Sequence, residues 1–180
     1  MKNYFIVHGT FGNNKENWFG WLEEKIKLNG FEVYNFNYPT PKGHNFENWS
    51  KVLNKVKDKI TKESVFICHS SAAIFVIKYC LTNNIKIEKL ISVSGANNFL
   101  VGNPEFDNIN KFMFVDDVSN FKNLCEKRIC FYSKNDPYIK LEVLQDFAKS
   151  ICAEEVVYEN AGHFNSSAGY TKFEDILKYL

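Results

Sequence analysis

The chain has 180 residues, enough for one full-sized domain and short for two. Hydrophobic residues make up 45% and charged residues 24%, which is typical of a soluble globular protein. The formal net charge is only +1 and no basic stripe is present, so the charge pattern gives no indication of nucleic acid or an anionic membrane as a partner.

The N-terminal residues run directly into an apolar, strand-like segment without a signal peptide's apolar stretch and cleavage site. No segment approaches the roughly 20 apolar residues that a membrane span needs. The five cysteines form no CxxC pair, and the four histidines show no metal-ligand spacing. We therefore expect a single cytoplasmic domain spanning residues 1–180, with buried thiols and without a metal site.

Short apolar runs alternate along the chain with longer segments of helical period. The predicted strands are residues 4–8, 31–37, 64–69, 89–94, 128–133 and 154–159. The predicted helices are residues 17–29, 46–60, 71–83, 138–151 and 170–180, with a further helix near 119–126. This alternation predicts an α/β fold, in which a parallel sheet is covered by helices on both faces.

Polar residues follow three of the predicted strands. Ser70 comes after the third strand, Asp136 after the fifth and His163 after the sixth. Ligands of open α/β sheets bind beyond the carboxyl ends of the strands, and the order Ser, Asp, His is that of a nucleophile-elbow hydrolase. The rival acids Asp116 and Asp117 lie in an irregular segment away from any strand end.

The residue types at these strand ends suit nucleophilic catalysis. A serine hydroxyl needs an imidazole to accept its proton, and the imidazole needs a carboxylate to fix its tautomer. The elbow requires small neighbours two residues before and after the serine, and here they are Cys68 and Ala72 instead of glycines. The backbone N–H groups of Ser71 and Thr10 are the predicted oxyanion donors.

Four stretches resemble the small α/β serine hydrolases of the YdeN and retinoblastoma-binding protein 9 family: VHGTFGNNKENWFGWLEEKI, HSSAAIFVIKYC, SKNDPYIKLEVLQDFAKSI and NAGHFNSSAGYTKFEDILKYL. Together they span nearly the whole chain. The resemblance implies a compact α/β-hydrolase fold with six parallel strands in the order 2-1-3-4-5-6 and no large lid domain. It implies Ser70 as nucleophile, Asp136 as acid and His163 as base, acting on small esters or amides without a cofactor.

Other interpretations of the same residues stay open. Ser70 could be only a helix N-cap, and the chain could be a non-catalytic member that binds a protein partner of unknown identity. An acyl-enzyme could also serve a peptidase or an acyltransferase. We expect His69 to pack beside the nucleophile without acting as a base, and His44 to lie on the surface. The candidate substrate pocket consists of Phe11, Trp18, Phe99, Phe112, Met113 and Phe164.

Overall fold

The computed structural model describes residues 2–98 and 104–180 of the chain. Six strands form one sheet in the order β2-β1-β3-β4-β5-β6, and every neighbouring pair is parallel. The implied strand order is thus confirmed. The strands are β1 (Asn3–Val7), β2 (Glu32–Asn35), β3 (Val65–His69), β4 (Ile87–Val93), β5 (Cys125–Ser133) and β6 (Glu154–Tyr158).

Five α-helices connect or follow these strands: α1 (Phe19–Leu28), α2 (Phe46–Asn54), α3 (Ala72–Asn83), α4 (Pro104–Asn110) and α5 (Leu141–Ser150). Short 3₁₀ helices lie at Lys57–Lys59, Ser119–Asn123, Ser166–Ala168 and Glu174–Tyr179. The helix α4 lies before Asp116 and Asp117, in a part of the chain where no helix was predicted.

Three of the predicted helices are wrong in extent or type. The helix predicted over 46–60 ends at Asn54, because Val56 and Ile60 are only partly buried and the Lys57–Lys59 turn between them has no buried residue to hold a further helical turn against the core. The helix predicted near 119–126 is a 3₁₀ turn, since Cys125 already pairs with β4. The helix predicted over 170–180 is instead a 3₁₀ helix at Glu174–Tyr179. Phe173 and Ile176 are both buried, and their spacing of three residues places them on one side of a 3₁₀ turn.

The central strands β1, β3 and β4 are buried on both faces, because their alternate side chains enter different cores. In β1, Tyr4 and Ile6 pack with α1 and the C-terminal 3₁₀ helix, whereas Phe5 and Val7 pack with α2, α3 and α5. All residues of β1 and β3 are buried, which explains why both appear in the sequence as short continuous apolar runs. Among the described residues, no helix has the length and apolar content needed to cross a membrane.

Candidate active site

Ser70 occupies the sharp turn between β3 and α3. Its φ of 55° lies in the left-handed region, which a side chain other than glycine seldom adopts. The turn is held by the Ser70 N–H, which donates to the Val93 carbonyl at 2.8 Å at the end of β4. Ser70 is partly exposed, whereas the residues on either side of it are buried. This strained turn presents the hydroxyl at the carboxyl edge of the sheet.

The turn does not need glycines beside the serine, because Cys68 and Ala72 fit completely buried positions. The close approach occurs instead at Gly9, just after β1. A Cβ atom there would lie 2.8 Å from Ser70 Cβ and 2.9 Å from the His69 carbonyl oxygen. Burial also raises the pKa of the Cys68 thiol well above its ordinary value, so this thiol is held neutral.

His163 and Asp136 form a direct pair at the ends of β6 and β5. The Nδ1 atom of His163 lies 2.7 Å from Asp136 Oδ2, and the Asp136 side chain is fully buried. The other carboxylate oxygen, Oδ1, accepts the backbone N–H groups of Tyr138 at 2.9 Å and Ile139 at 3.1 Å. With Nδ1 bound to the carboxylate, Nε2 is the ring nitrogen of His163 left to accept a proton.

The loop that carries His163 is tied to the end of β5. The Ala161 N–H donates to Ser133 Oγ at 2.8 Å, and the Gly162 N–H donates to Asn135 Oδ1 at 2.8 Å. These two bonds lock the loop beside the residues that precede Asp136. Ser133 and Asn135 belong to the SKNDP stretch at the strand end, but no local pattern distinguishes them from other polar residues near loops.

His69, the residue before Ser70, supports the same loop through its ring. Its Nε2 lies 2.8 Å from the His163 carbonyl oxygen, so it donates a hydrogen bond there. Burial lowers the pKa of His69 to about 3, and the ring stays neutral at neutral pH. His8, at the end of β1, accepts the Tyr38 N–H at 2.9 Å through Nε2, and burial lowers its pKa too.

A cleft of about 690 Å³, open to solvent, has Ser70 and His163 together in its wall. Glu16 is the only carboxylate or cationic side chain among its lining residues, and burial raises the pKa of Glu16. A second, smaller cavity of about 330 Å³ also reaches Ser70. Phe106 lines both cavities, and Ala96, Phe114 and Ile139 line the smaller one.

The predicted pocket residues do not form one pocket. Phe11 lines the cleft, and Phe99 lies outside the described residues. Trp18, Met113 and Phe164 are completely buried in the cores, because large apolar side chains gain most from full burial. Phe112 is 58% exposed and lines neither cavity. Phe106 and Tyr138 line the cleft instead, and no sequence pattern distinguished them from other aromatic residues.

The two predicted oxyanion donors lie beside each other. The Thr10 N–H donates to the Ser71 side-chain oxygen at 3.1 Å, and Ser71 is the residue that directly precedes α3. The neighbouring Phe11 has a φ of 60°, and its N–H donates to Thr40 Oγ1 at 2.9 Å. Side-chain hydroxyls therefore hold the loop after β1 against the elbow.

The expectation that His44 lies on the surface is wrong. Its ring is buried against Trp49, with ring centroids 4.8 Å apart, and its Nε2 lies 3.1 Å from Asn110 Oδ1. The edge-on contact with an indole excludes water from the imidazole. Burial lowers the pKa of His44 to about 4.

Comparison with known families decides the class of this protein. The model of the family described as "Serine hydrolase" matches residues 4–180. The chain belongs to the serine hydrolase family. This serine hydrolase is 22% identical to YdeN of Bacillus subtilis (strain 168), over 99% of this chain and 94% of YdeN. It is 24% identical to the serine hydrolase RBBP9 of Rattus norvegicus, over 97% of this chain and 91% of RBBP9.

Solved structures place the fold of this serine hydrolase among the α/β hydrolases. The crystal structure of the ydeN gene product from B. subtilis superposes with a TM-score of 0.89 at 21% identity, over 99% of this chain and 98% of that chain. The monoacylglycerol lipase of Paleococcus ferrophilus superposes with a TM-score of 0.61 at 16% identity, over 87% and 83% of the two chains. The protein is thus a hydrolase with a compact α/β-hydrolase fold.

Proposed function

We propose that this hydrolase cleaves small esters or amides through an acyl-enzyme on Ser70. The single observation that carries the proposal is that one cleft contains Ser70, at a strained left-handed turn, together with His163, whose ring is bound to the buried Asp136 carboxylate. A nucleophile, a base and the group that orients the base are the three elements of such a site.

In the acylation step, Ser70 Oγ forms a bond to the substrate carbonyl carbon while its proton passes to His163 Nε2. The tetrahedral intermediate then collapses, and the departing alcohol or amine leaves with that proton. In deacylation, water attacks the ester carbonyl and gives one proton to the same nitrogen, and Ser70 takes it back as the acid is released. Asp136 stays ionised throughout and stabilises the imidazolium that forms twice in each cycle.

The oxyanion of the intermediate would bind the N–H groups of Ser71 and Thr10. Ser71 precedes α3, so its amide lies at the positive end of that helix dipole. At rest the Thr10 N–H is bound to the Ser71 hydroxyl, and the oxyanion would replace this weaker, neutral acceptor. The Ser71 amide is in place at the helix end before the substrate arrives, and the Thr10 amide has to exchange the acceptor of its hydrogen bond.

The lining of the cleft supports a small substrate. Phe11, Phe106 and Tyr138 provide apolar surface near Ser70, and the described residues that line the cleft include no lysine or arginine. The unpaired state of all five cysteines supports a reducing, cytoplasmic location. Water, an amine or an alcohol could resolve the acyl-enzyme, so the proposal concerns the acylation chemistry and its nucleophile.

The proposal is tested by kinetics with chromogenic esters and amides of short acyl groups. Ser70→Ala and His163→Ala should each lower kcat by roughly 10⁴-fold for every substrate that the wild type cleaves. Ser119→Ala removes an exposed serine that lines neither cavity and should leave the rate unchanged. Near-normal rates in either of the first two variants would reject the proposal.

A further inference from the structure

A buried polar network connects the end of α4 to the loop after β1. Asn110 Oδ1 lies 2.6 Å from Thr10 Oγ1 and 3.1 Å from His44 Nε2. Thr10 Oγ1 in turn lies 2.7 Å from Ser71 Oγ, which also accepts the Thr10 N–H. Asn110 itself is only 6% exposed, and it is 100 residues away from Thr10 in the chain.

The direction of each hydrogen bond follows from the donors and acceptors present. The Asn110 amide nitrogen donates to the Phe106 carbonyl at 2.9 Å, which fixes the orientation of the amide group and leaves Oδ1 facing Thr10. An amide oxygen only accepts, so the Thr10 hydroxyl must donate to it. Because this uses the only hydroxyl proton of Thr10, the Ser71 hydroxyl donates to Thr10 Oγ1.

His44 completes the network as a second donor to the same oxygen. A donor at Nε2 requires the neutral tautomer that carries its proton there, and Nδ1 then has only a lone pair. Nδ1 of His44 is indeed buried without a hydrogen-bond partner among the described residues. The ring can therefore serve Asn110 as a donor without being charged.

We propose that Asn110 is a positioning residue for the oxyanion site, which acts by holding the Thr10 side chain and through it the Thr10 N–H. The inference rests on the proposed function, because it assumes that the Thr10 amide meets an oxyanion. Asn110 does not need to touch the substrate for this role. The side-chain oxygen of Asn110 fixes the Thr10 hydroxyl, and this hydroxyl fixes Ser71 Oγ. The backbone N–H of Thr10 is thereby held beside the turn that carries Ser70.

The network also gives a reason why Asn110, a residue of α4, matters for the loop after β1. The loop after β1 has one backbone hydrogen bond of its own among the described residues, from the Gly12 N–H to the Gly9 carbonyl. At the start of the loop, side-chain oxygens accept two further N–H groups: Thr40 Oγ1 accepts that of Phe11, and Ser71 Oγ accepts that of Thr10. An oxyanion donor on such a loop is preorganised only as well as those side chains are fixed.

The test compares Asn110→Ala with Asn108→Ala, a matched control on an exposed position of the same helix. We measure kcat and KM for an ester that the wild type hydrolyses, and the inhibition constant of a phenylboronic acid, which forms a tetrahedral adduct on a serine. Asn110→Ala should lower kcat by about 10-fold and weaken the boronate similarly, while KM changes by less than about twofold. Asn108→Ala should match the wild type.

A second pair of variants shows whether Asn110 acts through Thr10. Thr10→Val removes the hydroxyl at nearly constant shape, and Thr10→Ser keeps it. Thr10→Val should reproduce the loss in kcat, Thr10→Ser should restore most of it, and adding Asn110→Ala to Thr10→Val should cause little further loss. This pair also keeps the proposal testable if Asn110→Ala fails to fold.

Two outcomes would overturn this inference and leave the proposed function intact. One is equal kinetics of Asn110→Ala and Asn108→Ala, and the other is full additivity of the losses in kcat that Asn110→Ala and Thr10→Val cause. A raised KM at unchanged kcat would make Asn110 a substrate contact and would also contradict it. A folded wild type that neither hydrolyses any ester or amide nor reacts with a fluorophosphonate would reject the proposed function, and the inference with it.

Discussion

The Nδ1 atom of His163 lies 2.7 Å from Oδ2 of Asp136, a carboxylate whose side chain is fully buried. Both carboxylate oxygens are occupied, since Oδ1 accepts the N–H groups of Tyr138 and Ile139. The backbone N–H groups that follow Asp136 thus hold one oxygen of the carboxylate, and the imidazole of His163 holds the other. The ring of His163 is consequently held with Nε2 free for proton transfer.

Asp136→Asn should remove activity without unfolding the protein. The amide oxygen of the new side chain can still accept the two turn N–H groups, but its NH₂ group would then face His163 Nδ1 and select the wrong tautomer. We expect kcat to fall by roughly 10⁴-fold. Activity assays with circular dichroism check this, and the rival acids provide controls: Asp116→Asn and Asp117→Asn, both exposed, should keep the wild-type rate.

Gly9→Ala should displace the turn that carries Ser70, although Gly9 lies in a different loop. The added Cβ would lie 2.8 Å from Ser70 Cβ and 2.9 Å from the His69 carbonyl oxygen, so one of the two segments must move. We expect a loss of about 1–3 kcal/mol in the free energy of unfolding, as for other overpacked sites, together with a large drop in kcat. Urea unfolding and ester hydrolysis measure the two effects.

Gly20→Ala is the matched control for that substitution. Gly20 lies in α1, and nothing is within 4 Å of the position its Cβ would take. Alanine there should raise the free energy of unfolding by about 0.5–1 kcal/mol because it favours the helix. Equal effects of the two substitutions would contradict the account of Gly9.

Stability should fall as the pH drops from about 6.5 towards 4. Burial lowers the pKa of His44 to about 4 and of His69 to about 3, so the unfolded chain binds protons in this range and the folded chain does not. Each such group can change the free energy of unfolding by up to about 1.4 kcal/mol per pH unit. Urea denaturation at a series of pH values provides the measurement.

His44→Gln isolates one of these groups. A glutamine can still donate an N–H to Asn110 Oδ1 but does not titrate, so the decline of stability with acid should become shallower. An unchanged slope in this variant would show that His44 is not protonated on unfolding in that range. The kinetics at pH 7 serve as a check that the side chain still supports the site.

Trp18 should act on the site through structure and not through substrate contact. It is fully buried, and its Nε1 donates to the Phe164 carbonyl at 3.0 Å, next to His163. Trp18→Phe leaves that carbonyl without its donor and should cost about 1–3 kcal/mol of folding stability. Preference among acyl chain lengths should stay as in the wild type, whereas Phe106→Ala, in the wall of both cavities, should change it.

The reverse effect of these two substitutions on acyl chain preference would support the pocket that was predicted from the sequence. If Trp18→Phe altered acyl chain preference and Phe106→Ala did not, the aromatic residues chosen from the sequence would be those that meet the substrate. Unfolding curves for both variants separate such changes in specificity from a general loss of the native state.

The sheet and the three strand-end residues were predictable because each depends on local sequence. A strand buried on both faces, such as β3, is a continuous apolar run, and Ser70 follows it directly. Asp136 and His163 lie three and five residues beyond the ends of β5 and β6. The small side chains of Cys68 and Ala72 fit the buried positions on either side of the turn at Ser70, where glycines are absent. Parallel strands then bring their carboxyl ends to one edge.

The rest of the site depends on contacts between distant segments, which no local pattern contains. His44 meets Asn110 across 66 residues and Thr10 meets Asn110 across 100, so no local pattern indicated that His44 is buried. The location of the aromatic residues, in the core or in the cleft wall, was not predictable for a different reason. Phe164 and Phe106 are the same residue type in similarly polar surroundings, yet one is in the core and the other in the cleft wall.

The most direct test of the central claim is labelling of the wild type and of Ser70→Ala with a fluorophosphonate probe, followed by mass spectrometry of the modified peptide. Fluorophosphonates react with serines that a neighbouring base activates. The account predicts one adduct on the wild type, located at Ser70, and none on the folded variant. A folded wild type that stays unlabelled, or a Ser70→Ala variant labelled as strongly as the wild type, would contradict it.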